Sequence, residues 1–382
     1  MGANLTNLIP TLYSNLDVVS RELIGFVPAV TLDAQASRAA VNQSVRSFVA
    51  PAAAAGDITA GVTPPNDGDQ TIADMEIKIT KARRVPIRWT GEEERGSGPA
   101  AAAIQGAQIQ QAIRTLCNEI EADIAATYSS ASRASGSAGT TPFGTAGDYT
   151  AAALARKLLS DNGAPLTDMQ LVIDTAAGAN LRGRQSSSAH AFDDTMLRQG
   201  VLLDINGMMV RESAQVKTHT KGTGTSATTN TAGYAVGATT ITLASAGTGT
   251  ILAGDVITFA GDAFQYVVAT GDADVSNGGT VVLAAPGLRQ AIAGSATAIT
   301  VVATSVRNMA FARSAIVLAQ RLPALPASGD LASDRTSIVD PRSGLSFEVA
   351  LYPQYRQMQW EVSCAWGVKV VKPEHVAQVL GA

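Results

Sequence analysis

Residues 97–131 read SGPAAAAIQGAQIQQAIRTLCNEIEADIAATYSSA, and this stretch decides how the rest of the chain is interpreted. Ser97, Gly98 and Pro99 form a helix start, because proline in the first turn loses no backbone hydrogen bond. About 30 helical residues at roughly 1.5 Å each give a rod of roughly 45 Å, which is long for a core helix. The stretch therefore predicts a spine helix against which other elements lie. Apolar side chains recur along one face every three or four residues: Ile109, Ile113, Leu116, Ile120, Ile124 and Tyr128.

The two faces of this spine helix carry different expectations. We expect the apolar face to pack on the sheet that carries Trp360 and Val362. The other face carries Gln110, Arg114 and Glu121. Because polar faces of amphipathic helices usually point away from the core, we expect it to face a neighbouring molecule or the interior of an assembly.

Upstream of the helix, residues 44–90 predict a long β-hairpin. SVRSFVAP (44–51) alternates polar and apolar residues, and MEIKITKARRVPIRWT (75–90) predicts one long return strand with an edge or bulge at Pro86. The loop between them exceeds about 20 residues, which compact domains rarely carry without a function. It cannot form a core of its own, so it needs a partner surface or stays mobile.

Charge is concentrated at this hairpin. In a monomer, basic and acidic runs of this kind form a solvated strand face and an exposed turn. In an assembly they can pair across subunits, most simply Arg83, Arg84 or Arg88 against a neighbour's acidic cluster. The candidate contact residues are Lys78, Lys81, Arg83, Arg84, Arg88, Glu92, Glu93 and Glu94.

The remaining segments predict a mixed α and β architecture. Residues 5–25 have helical spacing, and 27–40 read as an extended arm. After the spine helix we expect a helix ending at Asn162-Gly163, a buried strand (MQLVID, 169–174), a helix capped by Asp174 or Thr175, and a hairpin turn at Asn206-Gly207. Residues 222–303 are Thr-, Gly- and Val-rich with short β runs, which predicts a small all-β module inserted into another domain. Gln357–Cys364 alternates as a central strand does.

Composition limits the class of protein. The 382 residues carry a net charge of −4, which argues against nucleic acid as the main ligand. Cys117 and Cys364 each lie in an apolar periodic stretch and are interpreted as buried free thiols. The N-terminus has no signal-peptide pattern, and no apolar run approaches a membrane span, so no membrane partner is expected.

The search for catalytic chemistry finds no constellation. His190, His219 and His375 have no partner at metal-ligand spacing. Asp255, Asp262, Asp272 and Asp274 lack the spacing of a calcium loop and are interpreted as turn-forming residues. Carboxylate pairs such as Asp193-Asp194 lie in polar, turn-like contexts. We therefore expect a protein that is not an enzyme, without catalytic residues, cofactor or metal.

Two stretches near the end carry a resemblance to a known family: MAFARSAIVLAQRLPALP (309–326) and YRQMQWEVSCAWGVKVVKPEHVAQV (355–379). Together with the order of the predicted elements, they make the chain similar to the major capsid (coat) proteins of tailed bacteriophages with the HK97-like α+β fold. Within that family it most resembles the short-tailed-phage coat proteins with an inserted β-barrel domain. The match rests on pattern and order along nearly the whole chain.

The resemblance implies a division of the chain into named parts. These are an N-terminal arm (1–43), an E-loop β-hairpin (44–95), and the P-domain spine helix with its connector (96–146). The A-domain would begin in 147–221, be interrupted by the inserted β-barrel-like domain (222–303), and resume in 304–382 with the return strands of the P-domain.

The resemblance also implies a function. Such proteins self-assemble as pentamers and hexamers into an icosahedral shell around double-stranded DNA, without sequence recognition, in the host cytoplasm. Scaffolding, portal and decoration proteins would be the partners, and the virion the final location. Some relatives cross-link an E-loop lysine to an asparagine, but residues 57–70 contain no lysine, so we predict no cross-linking. The alternative is a β-rich phage decoration or tail protein, which the module at 222–303 would suit, and an enzyme such as a polysaccharide lyase is a distant third.

Overall fold

The computed structural model confirms the predicted mixed α+β class. It describes residues 24–49, 55–58, 60–63, 73–98, 101–184, 202, 204–340 and 344–382. The helix expected at 5–25, the loop tip that carries His190, and Asp193-Asp194 lie largely or wholly outside these residues. The helices are α1 (Gly91–Ser97), α2 (Ala101–Ala125), α3 (Thr150–Asp161) and α4 (Thr175–Arg184).

The strands fall into two large sheets and one hairpin. Those before α3 are β1 (Thr31–Ala39), β2 (Ser44–Val49), β3 (Ala73–Lys78), β4 (Lys81–Thr90) and β5 (Arg133–Ser135). Those up to residue 301 are β6 (Met169–Ile173), β7 (Met208–Glu212), β8 (Thr218–His219), β9 (Thr240–Thr242), β10 (Val256–Phe259), β11 (Gln265–Thr270), β12 (Thr280–Leu283) and β13 (Ile299–Val301). The last are β14 (Ser305–Ala312), β15 (Ile316–Pro323), β16 (Asp334–Val339), β17 (Ser346–Gln354), β18 (Gln357–Val370) and β19 (Val376–Leu380).

The long helix α2 is shorter than predicted. It ends at Ala125, where a tighter 3-10 turn (Ala126–Ser130) takes over. At the other end Gly98 has a positive φ of 54°, which separates α2 from the short helix α1. A helix of 25 residues still spans roughly 38 Å. The prediction of one helix over 97–131 was therefore wrong at its boundaries but right in its central part.

The packing of α2 confirms one expectation and corrects another. Its apolar face and the buried side chains of both large sheets form one hydrophobic cluster, which includes Trp360 and Val362. Arg114 is exposed, as expected. Glu121, which was predicted to face outward, is only 1% exposed. The helical spacing could not predict this burial, because the residues around Glu121 in sequence do not show that another segment of the chain covers it.

One large sheet is built around β18. Its order is β1-β15-β18-β17-β16, and β4 pairs with the free side of β18. Each of β4, β15 and β17 is antiparallel to β18, so the prediction of a central strand is confirmed. Residues 31–39, expected to be part of an extended arm, form β1 and pair in parallel with β15.

The predicted hairpin is present, but its return strand is divided. β2 and β3 pair only with each other in a two-stranded sheet. Residues Ile79 and Thr80 separate β3 from β4. The backbone of Ile79 still forms hydrogen bonds with Asn42 and Gln43, near the start of β2, whereas Thr80 N donates to the carbonyl of Trp366 in β18. Beyond this break, β4 joins the β18 sheet instead of continuing the hairpin.

The second large sheet runs β13-β10-β11-β5-β19-β14-β6-β7. Strands β9 to β13 lie within residues 222–303 and have a hydrophobic core of their own, which includes Ile257, Phe259 and Leu283. β11 pairs with β5, so these strands are joined to the body by backbone hydrogen bonds. The boundaries of the domains stay a prediction.

Smaller expectations in the α/β region agree with the structure. The residue after α3 is Asn162, and Gly163 has a φ of 76°. β6 is buried throughout. Asp174 caps α4 by accepting a hydrogen bond from Ala176 N at 3.1 Å. Both buried cysteines are free thiols, as predicted.

Candidate functional site on the basic strand and the acidic helical turn

The alternation of β4 divides its basic residues between two faces. Lys81 and Arg83 share the face of the buried Ile87 and Trp89, which packs on α2. Arg84 and Arg88 lie on the other face. The sequence alone grouped these cations as one surface, but the sheet separates them.

Lys81 lies in a cluster of charges between β4 and α2. Its Nζ is 2.8 Å from Asp123 Oδ1, 3.2 Å from Glu119 Oε1 and 5.9 Å from the centre of the Trp366 ring. The indole N–H of Trp366 donates to Asp123 Oδ2 at 2.8 Å. Burial lowers the pKa of Lys81, but the hydrogen bonds and charges of the two carboxylates outweigh burial and raise it above its ordinary value.

Arg83 and Arg84 also find carboxylates within the chain. Arg83 Nε is 3.1 Å from Glu119 Oε1, and Arg84 Nη1 is 2.6 Å from Glu361 Oε2. Both guanidinium groups are largely exposed, so each pair contributes at most about 1 kcal/mol. Within the described ranges, Lys78 and Arg88 make no ion pair. Pairing of these cations with a neighbouring subunit stays a prediction.

The acidic cluster, expected to be an exposed turn, lies in the short helix α1. Thr90 and Glu93 form a reciprocal cap: Glu93 N donates to Thr90 Oγ1 at 3.2 Å, and Thr90 N donates to Glu93 Oε2 at 2.8 Å. These hydrogen bonds lower the pKa of the Glu93 carboxyl. Glu93 is thus occupied locally, whereas Glu92 and Glu94 line an open cavity of about 670 Å³.

This cavity lies between the start of α1 and the hairpin that joins β17 to β18. Trp89 and Met358 form part of its apolar lining. Tyr355 at its rim is 87% exposed, and the guanidinium of Arg356 lies 5.7 Å from the Tyr355 ring centre. The cavity therefore combines aromatic surface with two exposed carboxylates.

The sequence indicated that the loop between β2 and β3 needs a partner surface or stays mobile, but not which of its residues form that surface. Ile58 and Val62, in the segment between β2 and β3, are 103% and 106% exposed. The signal was present, since both are large apolar residues in a stretch otherwise rich in Gly, Pro, Thr and Asp. Two apolar side chains that no described residue covers mark a surface that a partner can bury.

Of the residues considered for chemistry, His219 is part of a buried polar chain. Tyr128 Oη lies 2.8 Å from His219 Nδ1, and His219 Nε2 lies 2.9 Å from Asp255 Oδ1. Asp255 is 0% exposed and also accepts from Gly222 N at 3.1 Å. The interpretation of Asp255 as an ordinary turn residue was therefore incomplete, because its carboxylate joins the module to the end of the long helix.

The described residues contain no group of three or more His, Cys, Asp and Glu side chains arranged to hold a metal ion. None of the helices in the described part of the chain has the length and apolar character that crossing a bilayer requires.

No protein-family model matches the chain, and no curated protein matches it. It does resemble solved structures. A structure from Mycobacterium phage Che8 is 13% identical with a TM-score of 0.42, and the match covers 89% of this chain and 85% of that one. The capsid structure of the cyanophage P-SCSP1u is 12% identical with a TM-score of 0.47, covering 95% and 89%. The capsid of a native GTA particle is 11% identical with a TM-score of 0.46, covering 95% and 91%. At these values the likeness concerns the fold alone.

Proposed function

We propose that this chain is a structural subunit that self-assembles into the icosahedral capsid of a tailed phage, with the HK97-like arrangement described above. One observation carries the proposal. The β2–β3 hairpin pairs with no other strand of the described chain, and the segment at its far end exposes Ile58 and Val62 completely. The base of the hairpin packs on the β18 sheet through Ile77, but no described residue supports its far end, and a projecting hairpin gains stability when it lies on another surface.

The base of the hairpin is bound to the body of the chain, which supports a role in assembly. β4 is fastened to α2 near both of its ends: by Lys81 to Glu119 and Asp123, and by Trp89 Nε1 donating to Gln108 Oε1 at 2.6 Å. A hairpin that projects from a base bound in this way reaches a neighbour in a defined direction. We infer that 44–95 acts as the E-loop and that the most economical neighbour is a second copy of the chain.

The charges at the base suit contacts between copies. We expect Arg88, with Lys78, to approach Glu92 and Glu94 of a neighbour. Each exposed pair contributes at most about 1 kcal/mol, so repetition over the shell supplies the effect.

The wider roles follow from this proposal. Pentamers and hexamers would form the shell with the help of scaffolding and portal proteins, and decoration proteins would bind it from outside. The shell would enclose double-stranded DNA without reading its sequence, which agrees with a net charge of −4. The inserted module would strengthen contacts within each capsomer. Assembly would occur in the host cytoplasm and end in the virion.

Electron microscopy of the purified protein tests the proposal. We expect closed shells or open tubes of hexamers, formed either alone or with a scaffolding protein. A protein that stays a compact monomer at high concentration with scaffolding present would contradict the proposal. Trimers or fibres would favour the alternative of a decoration or tail protein, which the short strands of residues 222–303 would also suit.

A pair of substitutions tests the exposed surface itself. I58D and V62D place a carboxylate where we expect an apolar contact, so they should abolish or strongly reduce assembly. Because no described residue covers either side chain, the thermal unfolding of the subunit should not change. The matched controls I58L and V62I keep the apolar character and should assemble normally. Normal shells from the aspartate variants would show that this surface is not an interface.

A further inference from the structure

The carboxylate of Glu121 is buried in the middle of α2 and joins three parts of the chain. Its Oε1 accepts from Val27 N at 2.8 Å. Its Oε2 accepts from Phe26 N at 3.1 Å and from Ser213 Oγ at 2.9 Å. The donors come from the N-terminal segment and from the residue that follows β7, both more than ninety positions away in sequence.

Among the described residues, no lysine, arginine or histidine forms an ion pair with Glu121, and the groups that contact its carboxylate are hydrogen-bond donors. Burying a carboxylate without a counter-charge is unfavourable, and hydrogen bonds offset only part of the cost. Accordingly, burial raises the pKa of the Glu121 carboxyl, and the hydrogen bonds do not cancel that rise.

The segment held by Glu121 is itself closely packed. Phe26, Val27, Ala29 and Val30 are buried, and the carbonyl of Pro28 accepts from Arg313 Nη2 at 2.8 Å. Before this segment, the chain passes so near β7 that a Cβ at Gly25 would lie 2.7 Å from the carbonyl oxygen of Glu212. The backbone at 25–27 therefore runs between α2 and the end of β7.

We propose that Glu121, with the amides of Phe26 and Val27 and the hydroxyl of Ser213, is a conformational anchor that docks the N-terminal segment and lets it detach as a unit. When the segment leaves, water can hydrate the carboxylate again. This hydration lowers the free-energy cost of opening, whereas an apolar side chain at the same position would gain nothing from contact with water. Residues 26–30 consequently open locally, while α2 and the sheets stay folded. The anchor is independent of the shell proposal, because all of its atoms belong to one chain.

Amide hydrogen exchange on the full-length protein tests the anchor. In E121A the amides of Phe26 and Val27 lose their acceptor, and we expect them to exchange at least about tenfold faster, the effect of losing one charge-assisted hydrogen bond. The amides of α2 from Ile109 to Leu116 should keep their rates. The matched control is E119Q on the same helix, whose carboxylate contacts Lys81 and Arg83, and it should leave residues 26 and 27 unchanged.

A second variant keeps the proposal testable if E121A does not fold. S213A removes one donor and retains the carboxylate, so exchange at residues 26 and 27 should rise by about threefold, with α2 unchanged. Rates within twofold of the parent in E121A would overturn the proposal. So would an equal acceleration across α2 in S213A, since that would mean global rather than local opening.

Discussion

At the scale of single residues, the buried polar groups join segments that are distant in sequence. Asp255 holds the amides of Gly222 and Leu252 and the ring of His219. The sequence contains the motif Ala-Gly-Asp twice in this module, ending at Asp255 and Asp262, and nothing local distinguishes the two aspartates. Only the fold shows that Asp255 is buried beside Gly222, where the module begins.

Tyr266 gives a prediction at this scale. Burial, with the carboxylate of Asp262 that accepts its hydroxyl at 2.7 Å, raises the pKa of Tyr266 to about 12. Because the folded-state pKa lies above the unfolded one, the hydroxyl contributes stability below about pH 10, and this contribution is lost as the pH rises through 12. We expect the difference between the ultraviolet titration curves of the parent and Y266F to show one phenolate that forms with a pKa of about 12.

The reference for this titration is a free tyrosine amide, which ionises at about 10. Denaturation in urea supplies an independent check. The difference in stability between parent and Y266F should shrink between pH 10 and 12, because Tyr266 is ionised there in the unfolded chain but still protonated in the folded protein. A phenolate that formed at the pKa of the free amide would show that the hydroxyl of Tyr266 is not buried beside Asp262.

At the scale of elements, α2 is the helix on which both large sheets pack. Ile120 lies in its centre and is 0% exposed. We expect I120A to lower the free energy of unfolding by about 2–5 kcal/mol, because the cavity adds to the lost burial. Denaturation in urea, followed by circular dichroism, measures the change.

The control for this substitution lies on the same helix. Ile104 is 41% exposed, so I104A should change stability by no more than about 0.5 kcal/mol. Equal losses from the two variants would mean that the sheets do not cover α2 as the structure shows.

The divided return strand shows where element-level prediction fails. Apolar residues occupy alternate positions from Met75 to Ile79 and again from Val85 to Trp89, so the pattern predicts one strand. The structure changes pairing partner at Ile79 and Thr80, because β3 pairs with β2 and β4 pairs with β18. Alternation reports that one face is covered, and it carries no information about which strand lies alongside.

At the scale of the whole molecule, the placement of the hairpin lysines bears on the chemistry of an assembled shell. Lys81 is held by Glu119 and Asp123 of its own chain, and residues 57–70 contain no lysine. We therefore expect boiled particles to run as a single monomer band in a denaturing gel. A ladder of covalent oligomers would refute this, and mass spectrometry of the ladder would identify the lysine involved.

The general architecture was accessible without coordinates, since long periodic segments specify their own secondary structure. The apolar spacing from Ile109 to Ile124 predicted the long helix, and the alternation from Gln357 to Cys364 predicted the central strand. The exposed pair Ile58 and Val62 was also legible in principle, as apolar residues in a turn-rich stretch.

The sequence by itself determined the central part of the long helix, its apolar face and the central strand, because periodicity is a local property. The tertiary structure decided the partners. Glu121 looked like part of an outward face until the N-terminal segment covered it, and Lys81 found its carboxylates 38 and 42 positions away. Hydrogen bonds and ion pairs between distant residues depend on how the chain folds back on itself, and no local pattern encodes that.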